Sequence, residues 1–211
     1  MLTIKKFIFS PFQVNTYVLY DETKECIIID AACIEATEEK EITEFISSNS
    51  LKPVKILNTH GHLDHIFGNN YLKNKYKCDI LGHAADDIVV ANAKVYGAHY
   101  GIDFPEPPAF SFHINDNDTI KFGNSVLKVI HTPGHTQGGV SFYIENDSVL
   151  FSGDSLFYGS IGRTDLPGGN FETLINSIKK KLLVLPKNTI VYSGHGPSTS
   201  IENETKGNPF L

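Results

Sequence analysis

Cysteine is scarce in this sequence: 211 residues contain three, Cys26, Cys33 and Cys78. No two of them form a C-x-x-C pair and three cannot all be joined within one chain, so a disulfide framework is excluded and buried free thiols in a reducing compartment are expected. A basic stripe is also missing. The formal net charge is -6 and Lys and Arg fall in short runs such as Lys179–Lys181, which leaves nothing to follow a phosphate backbone, so nucleic acid is not an expected partner. Long apolar runs are absent too: stretches such as Cys26–Ile29 are far too short to span a bilayer. The opening Met1–Phe7 is interrupted by Lys5 and Lys6 and has no small-residue cleavage site. These absences lead to the expectation of a cytoplasmic protein without a membrane partner. No low-complexity linker divides the chain, and 41% hydrophobic content with 11% aromatic is enough for a sizeable core, so residues 1–211 read as a single domain.

The pattern mixes strands and helices. Residues 2–9, 13–20 and 26–30 read as strands, the first two joined in a hairpin-like way through Ser10-Pro11-Phe12. From Ile34 the periodicity turns helical, with Ile42, Phe45 and Ile46 on one face, and ends at Asn49-Ser50. Strands follow at 54–58 and Asp79–Leu81, with helices at Phe67–Tyr76 and Ala84–Val95. Residues 97–118 are irregular and hold Pro105, Pro107 and Pro108; a loop that long in a compact domain is expected to shape a pocket. The second half repeats short strands at Thr119–Phe122, Ser125–Thr132, Gly139–Ile144, Val149–Phe151 and Ile190–Tyr192. A helix is predicted over Phe171–Leu183 and a helical tail from Ser200.

The densest chemistry lies in Thr59-His60-Gly61-His62-Leu63-Asp64-His65, which begins where the 54–58 strand stops. Alternation puts His60 and His62 on one side, while Asp64 and His65 aim elsewhere, so one segment can serve two adjacent metals. Three later fragments repeat the form of a strand ending in a ligand beside glycine: His131-Thr132-Pro133-Gly134-His135, Ser152-Gly153-Asp154 and Ser193-Gly194-His195. Strand ends that neighbour one another converge on one sheet edge. His60, His62 and His135 then count for one ion, Asp64, His65 and His195 for a second, with Asp154 between them. Two divalent cations are expected, zinc first, with iron and manganese as alternatives. Asp64 and Asp154 are counted as catalytic as well as ligating residues.

These motifs resemble the metallo-β-lactamase superfamily, whose His-x-His-x-Asp-His signature is met by His60 to His65 and whose later ligands match His135, Asp154 and His195. The resemblance implies an α+β fold, a four-layer αββα sandwich with the metals at one edge of two packed sheets. Within the superfamily, Gly159–Asp165 and the ending Asn208-Pro209-Phe210-Leu211 resemble short glyoxalase II-like hydrolases. Asp154 stands where many zinc β-lactamases carry cysteine, and His62 where flavodiiron oxidoreductases carry glutamate. The acidic balance does not suit RNase Z-type nucleases. The extra C-terminal helical region that supplies much of the glutathione contact in full-length glyoxalase II has no counterpart in the residues after His195.

The implied activity is hydrolysis of a small acyl thioester such as S-lactoylglutathione by a metal-bridging hydroxide, with a thiolate leaving and no covalent side-chain nucleophile. Arg163 is the candidate to clasp a substrate carboxylate, with an internal ion pair to Asp165 as the equal alternative. Tyr158 is a further candidate substrate contact. His131 suits either support of His135 or packing, Thr59 suits orientation of the loop, and His83, His99 and His113 read as structural or surface residues. A mononuclear iron dioxygenase acting on persulfides shares His60, His135, Asp154 and the Gly-Arg-Thr-Asp segment and is the competing class. A non-catalytic metal-binding protein is the third reading. Oligomeric state is not readable from the sequence.

Overall fold

The computed structural model describes all residues, 1–211. Its first sheet runs in the order β1 (Thr3–Phe9), β2 (Val14–Tyr20), β3 (Glu25–Ile29), β4 (Lys52–Leu57), β5 (Asp79–Gly82) and β6 (Phe112–His113). The first three strands are antiparallel, and β3 to β6 are parallel neighbours. Parallel pairing needs crossovers: α1 (Ala36–Ser48) connects β3 to β4, and α2 (Leu63–Ile66) with α3 (Asn69–Tyr76) connects β4 to β5. Helix α4 (Asp87–His99) follows β5, entered through a single 3₁₀ turn at Ala84–Asp86.

The second half begins with β7 (Thr119–Phe122), β8 (Ser125–His131), β9 (Val140–Ile144) and β10 (Val149–Gly153). A small hairpin, β11 (Leu156–Phe157) with β12 (Ser160–Ile161), comes before α5 (Phe171–Ser177), β13 (Ile190–Ser193), β14 (Thr199–Ser200) and α6 (Ile201–Gly207). The second sheet is ordered β14-β13-β10-β9-β8-β7, with β13 parallel to β10 and the other pairs antiparallel.

Three apolar clusters stack in register with four layers. Along β3, Ile27 and Ile29 face the second sheet and meet Leu127, Val129, Phe142 and Phe151, whereas Cys26 and Ile28 face the helices with Ile42, Ile46 and Leu72. Both faces of the strand are covered, so its sequence reads as an unbroken apolar run and not an alternation. The third cluster sets Ile130, Leu150 and Val191 of the second sheet against Leu174, Ile178, Leu182 and Ile201. The result is the expected αββα sandwich. All three cysteines are free and buried; burial pushes Cys26 and Cys33 to about 12, so neither is a thiolate near neutral pH. No helix is long and apolar enough to cross a membrane.

Several element boundaries differ from the sequence reading. The helix expected over Phe67–Tyr76 starts only at Asn69, because Gly68 packs its backbone against Cys33 and Ala31, and a separate short helix, Leu63–Ile66, precedes it where none was expected. Helix α4 runs past Val95 to His99, since Gly97 lets Phe104 pack against the helix. The helix expected over Phe171–Leu183 changes to a wider π turn after Ser177, at Ile178–Leu182. In the tail Ser200 caps α6, its hydroxyl accepting from the Asn203 amide at 3.2 Å. Of the 97–118 segment, Phe104 and Phe110 are buried in the helix-side core and Phe112–His113 adds a strand to the sheet; Tyr100 alone reaches the pocket it was expected to shape.

Candidate metal centre

The ligand-bearing segments all start at the carboxyl ends of strands on one edge of the sandwich: His60 after β4, His135 after β8, Asp154 after β10 and His195 after β13. The two sheets are joined at that edge. Val14 forms an isolated bridge with His195, the Asn15 amide donates to the Gly194 carbonyl at 2.7 Å, and the Asn15 side chain donates to the carbonyls of Ser193 and Gly196, each at 2.9 Å. The last strand's ligand is thereby delivered to the first sheet. A Cβ at Gly194 would fall on the Asp154 carboxylate and the His65 ring, so the residue before His195 has to be glycine.

Two sets of ligand atoms assemble, His60 with His62 and His135, and Asp64 with His65 and His195, the atoms of each set lying within 4.8 Å of one another. Asp154 lies between them. Its Oδ1 is 3.5 Å from His65 Nε2, and its Oδ2 is 3.5 Å from His195 Nε2 and 3.6 Å from His135 Nε2. In the second set His65 Nε2 and His195 Nε2 are 3.3 Å apart, and Asp64 Oδ2 is 3.8 and 3.5 Å from them.

The tautomers are set from behind. His60 Nδ1 lies 3.0 Å from Thr59 Oγ1, His65 Nδ1 3.0 Å from Asp30 Oδ2, His135 Nδ1 2.8 Å from the Arg163 carbonyl and His195 Nδ1 3.0 Å from the Phe12 carbonyl. An acceptor at each Nδ1 holds a proton there and turns Nε2 towards the centre, where the neutral ring presents its lone pair. His62 is the exception: its Nδ1 faces inward, 2.9 Å from His135 Nε2. Two atoms at the middle, His60 Nε2 and Asp154 Oδ1, are buried without any hydrogen-bond partner. Buried polar atoms are rarely left so, and a nitrogen lone pair and a carboxylate oxygen are both ligands that a divalent cation of the zinc or iron type accepts. The residues therefore fit the metals the sequence implies.

Two residues outside the predicted set hold it in place. Asp30, closing β3, accepts from the Thr59 amide at 2.8 Å, from Thr59 Oγ1 at 2.7 Å and from His65. It lies near His60 and His65, but its three donors occupy the carboxylate, and it orients ligands instead of adding one. Asp86, fully buried, accepts from the Gly61 amide at 2.8 Å, Thr136 Oγ1 at 2.8 Å and the Gly138 amide at 2.7 Å. It ties the loop of His60 and His62 to that of His135. The only sequence signal for Asp30 is a carboxylate ending an apolar strand; Asp86 carries none.

The remaining expectations fall out differently. Arg163 lines the cavity beside the centre, but its Nε and Nη2 donate to Asp165 at 2.8 and 2.7 Å, so the fork expected to clasp a substrate carboxylate is occupied. Tyr158 sits at the turn of the β11–β12 hairpin, 62% exposed and outside the cavity lining, because that turn points its side chain away from the centre. His131 stacks on His83 at 4.3 Å and lies 3.0 Å from the Gln137 carbonyl; it does not touch His135. His99 and His113 are exposed, His113 pairing with Asp87. Thr59 does orient its neighbour.

Electrostatics separates the two sets. Burial and the surrounding imidazoles hold His60 well below the usual histidine range, and burial with His135 beside it brings His62 to about 4. Burial opposes the charge of His65 and His195 as well, but the carboxylates of Asp154 and Asp64 outweigh it, raising His65 well above its ordinary value and His195 to about 9. At pH 7 the metal-free second set is therefore protonated, and a cation entering it must displace protons. The His195 share of this competition is lost as pH rises through about 9, so affinity for the second ion climbs between pH 7 and 9. Calorimetry at pH 7 in buffers of different protonation enthalpy should give few protons for the first equivalent and about one or more for the second; equal release in both steps would contradict the assignment.

Fold and site together define the class: an αββα sandwich with a His/Asp centre for divalent cations at its strand ends. The chain belongs to the metallo-β-lactamase superfamily, whose family profile matches residues 9–195. It is 39% identical to the probable metallo-hydrolase YqgX of Bacillus subtilis over 203 residues, 95% of this chain and 93% of the relative. It is 35% identical to the hydroxyacylglutathione hydrolase GloC of Haemophilus influenzae over 204 residues, again 95% and 93%. Among solved structures, BLEG-1, described as a B3 metallo-β-lactamase, matches with a TM-score of 0.91, 35% identity and 99% of both chains covered. TTHA1623 in a di-iron-bound form matches with a TM-score of 0.89 and 33% identity, covering 98% of this chain and all of that one.

Proposed function

We propose that this chain is a hydrolase using two divalent cations to cleave a small acyl thioester, the class to which S-lactoylglutathione belongs. The observation that carries the reading is the pair of ligand sets with Asp154 between them. His60, His62 and His135 would hold one cation, Asp64, His65 and His195 the other, and Asp154 would serve both. Bound there, such cations supply Lewis acidity and lower the pKa of a water they share. Similarity to GloC supports the thioester, and similarity to a di-iron structure supports a two-metal centre while leaving zinc, iron and manganese all open.

The protein's own groups have a limited part in the chemistry. The cavity is lined by no serine, threonine, cysteine or lysine, and its aspartates and histidines are the ligand residues, so a covalent acyl-enzyme is not part of this reading. The Nδ1–H bonds keep four imidazoles turned with Nε2 inward throughout turnover, so the ligand cage needs no reorganisation. A thiolate leaves without a general acid, because thiols ionise far more readily than amines, and a thioester therefore asks nothing of the site that its ligands do not provide.

Elemental analysis of freshly purified protein, run beside hydrolysis assays on a thioester and a penicillin, tests the reading. About two equivalents of metal and thioester turnover are expected. One iron with rapid oxygen uptake on glutathione persulfide would replace it with an iron dioxygenase, and penicillin hydrolysis with thioesters untouched would replace it with a β-lactamase.

A further inference from the structure

The cavity that opens on the metal centre has a volume of about 440 Å³ and two unlike walls. One is α4. Ile88, Asn92, Tyr96 and Tyr100 follow one another at four-residue spacing and so form a single row along the helix surface, flanked by Val89 and Ala93. Asn92 does not break the row chemically, since its amide donates to the Ile88 carbonyl at 2.7 Å. Apolar side chains at such positions normally turn inward, yet Ile88 is 66%, Tyr96 40% and Tyr100 60% exposed. Tyr100 stands edge-on to Phe12 at 6.2 Å, and the Phe12 carbonyl is the acceptor that orients His195. The row therefore ends one residue, Phe12, away from a ligand of the centre. The facing wall holds Leu166 and Pro167 and the cavity's one cation, Arg163, whose charge Asp165 already pairs.

A glutathione carrier brings two carboxylates, and this lining has no lysine and no unpaired arginine to meet them. What it offers instead is a largely apolar strip in the same cavity as the ligand residues. We propose that the α4 row is an acyl subsite, and that the substrate is a thioester with an uncharged, apolar acyl chain. This rests on the thioesterase reading above and narrows its substrate.

The test is a series of acetyl, butanoyl, hexanoyl and octanoyl thioesters of N-acetylcysteamine, with S-lactoylglutathione alongside. Burying each methylene along the row should raise kcat/KM about fourfold, so hexanoyl should exceed acetyl by more than roughly 100-fold. The substitutions Ile88→Ser and Tyr96→Ser should cut the hexanoyl-to-acetyl ratio about tenfold. A second readout needs neither metal nor turnover: the Kd of the matching ketones, with CH2 in place of sulfur, measured by calorimetry on metal-free protein, should tighten with chain length in the same order. A flat series in both readouts with thioesters still cleaved, or S-lactoylglutathione preferred to hexanoyl, would overturn the subsite and leave the thioesterase standing. Failure to cleave any thioester, with long ketones still bound more tightly, would overturn the thioesterase reading and keep the apolar subsite.

Discussion

Replacing Asp154 by Asn should lower turnover on the order of 10³-fold and reduce the metal retained through purification from about two equivalents towards one. The carboxylate is the one group within 3.6 Å of ligand nitrogens from both sets, His135 on one side and His65 and His195 on the other. The neighbouring imidazoles hold it well below the usual carboxylate range against the opposing effect of burial, so it is a full anion at the middle of the centre. Asn keeps the shape and removes that charge. It also turns an NH₂ group towards His nitrogens that need their lone pairs for metal. Asp154 is also what favours charge on His65 and His195, so its removal relieves part of the proton competition at the second set and offsets part of the loss there. Metal content by elemental analysis and kcat under saturating metal give the two measurements. Full activity in metal-loaded D154N protein would remove Asp154 from the centre.

The change Asp86→Ala should cost about 3–5 kcal/mol of stability and, where the protein still folds, weaken metal binding by about 10- to 100-fold. Three buried donors converge on this carboxylate, the amides of Gly61 and Gly138 and the Thr136 hydroxyl. Alanine leaves all three without a partner, each at about 1–3 kcal/mol. For a chain of this length the stability loss corresponds to a fall in Tm of roughly 10 °C. Burial raises the Asp86 carboxyl above its ordinary range while the three donors pull it back, so the donors favour the charged form that burial opposes. Asp86→Asn retains an acceptor for some of them and should fall between wild type and alanine. Thermal melts of metal-free protein separate the structural loss from the metal effect. An unchanged metal affinity in a folded D86A variant would show that the two loops hold their positions without the carboxylate.

Much of this arrangement was legible in the sequence because it follows from periodicity and from ligands sitting at strand ends. The parallel strands showed as apolar runs such as Ile27-Ile28-Ile29, and the four ligand segments each stop a strand beside glycine. The grouping of His60 with His62, apart from Asp64 and His65, followed from alternation alone. What was not legible depends on contacts between distant residues. Asp86 looks like any acid opening a helix, and its donors lie 25 to 52 positions away. Asp30 is equally silent until β3 and β4 pair. The β11–β12 hairpin has two residues per strand, too few for any period to show. For Arg163 the sequence left clasp and ion pair level, since two positions separate it from Asp165 and either geometry is reachable; the structure shows the fork on Asp165.

The link between the β1–β2 turn and the last ligand bears on the order in which the centre can be built during synthesis. His195 takes its orientation from Phe12, 183 positions earlier, and its strand end is held by Asn15. The first ligand set is complete in sequence once residue 135 has emerged, whereas the second waits for residues 193–196 to close one of the longest loops in the chain. The side chains of the second set can therefore come together only after nearly the whole chain has been made, so closure of the last strand onto the β1–β2 turn is the final step in assembling the two sets.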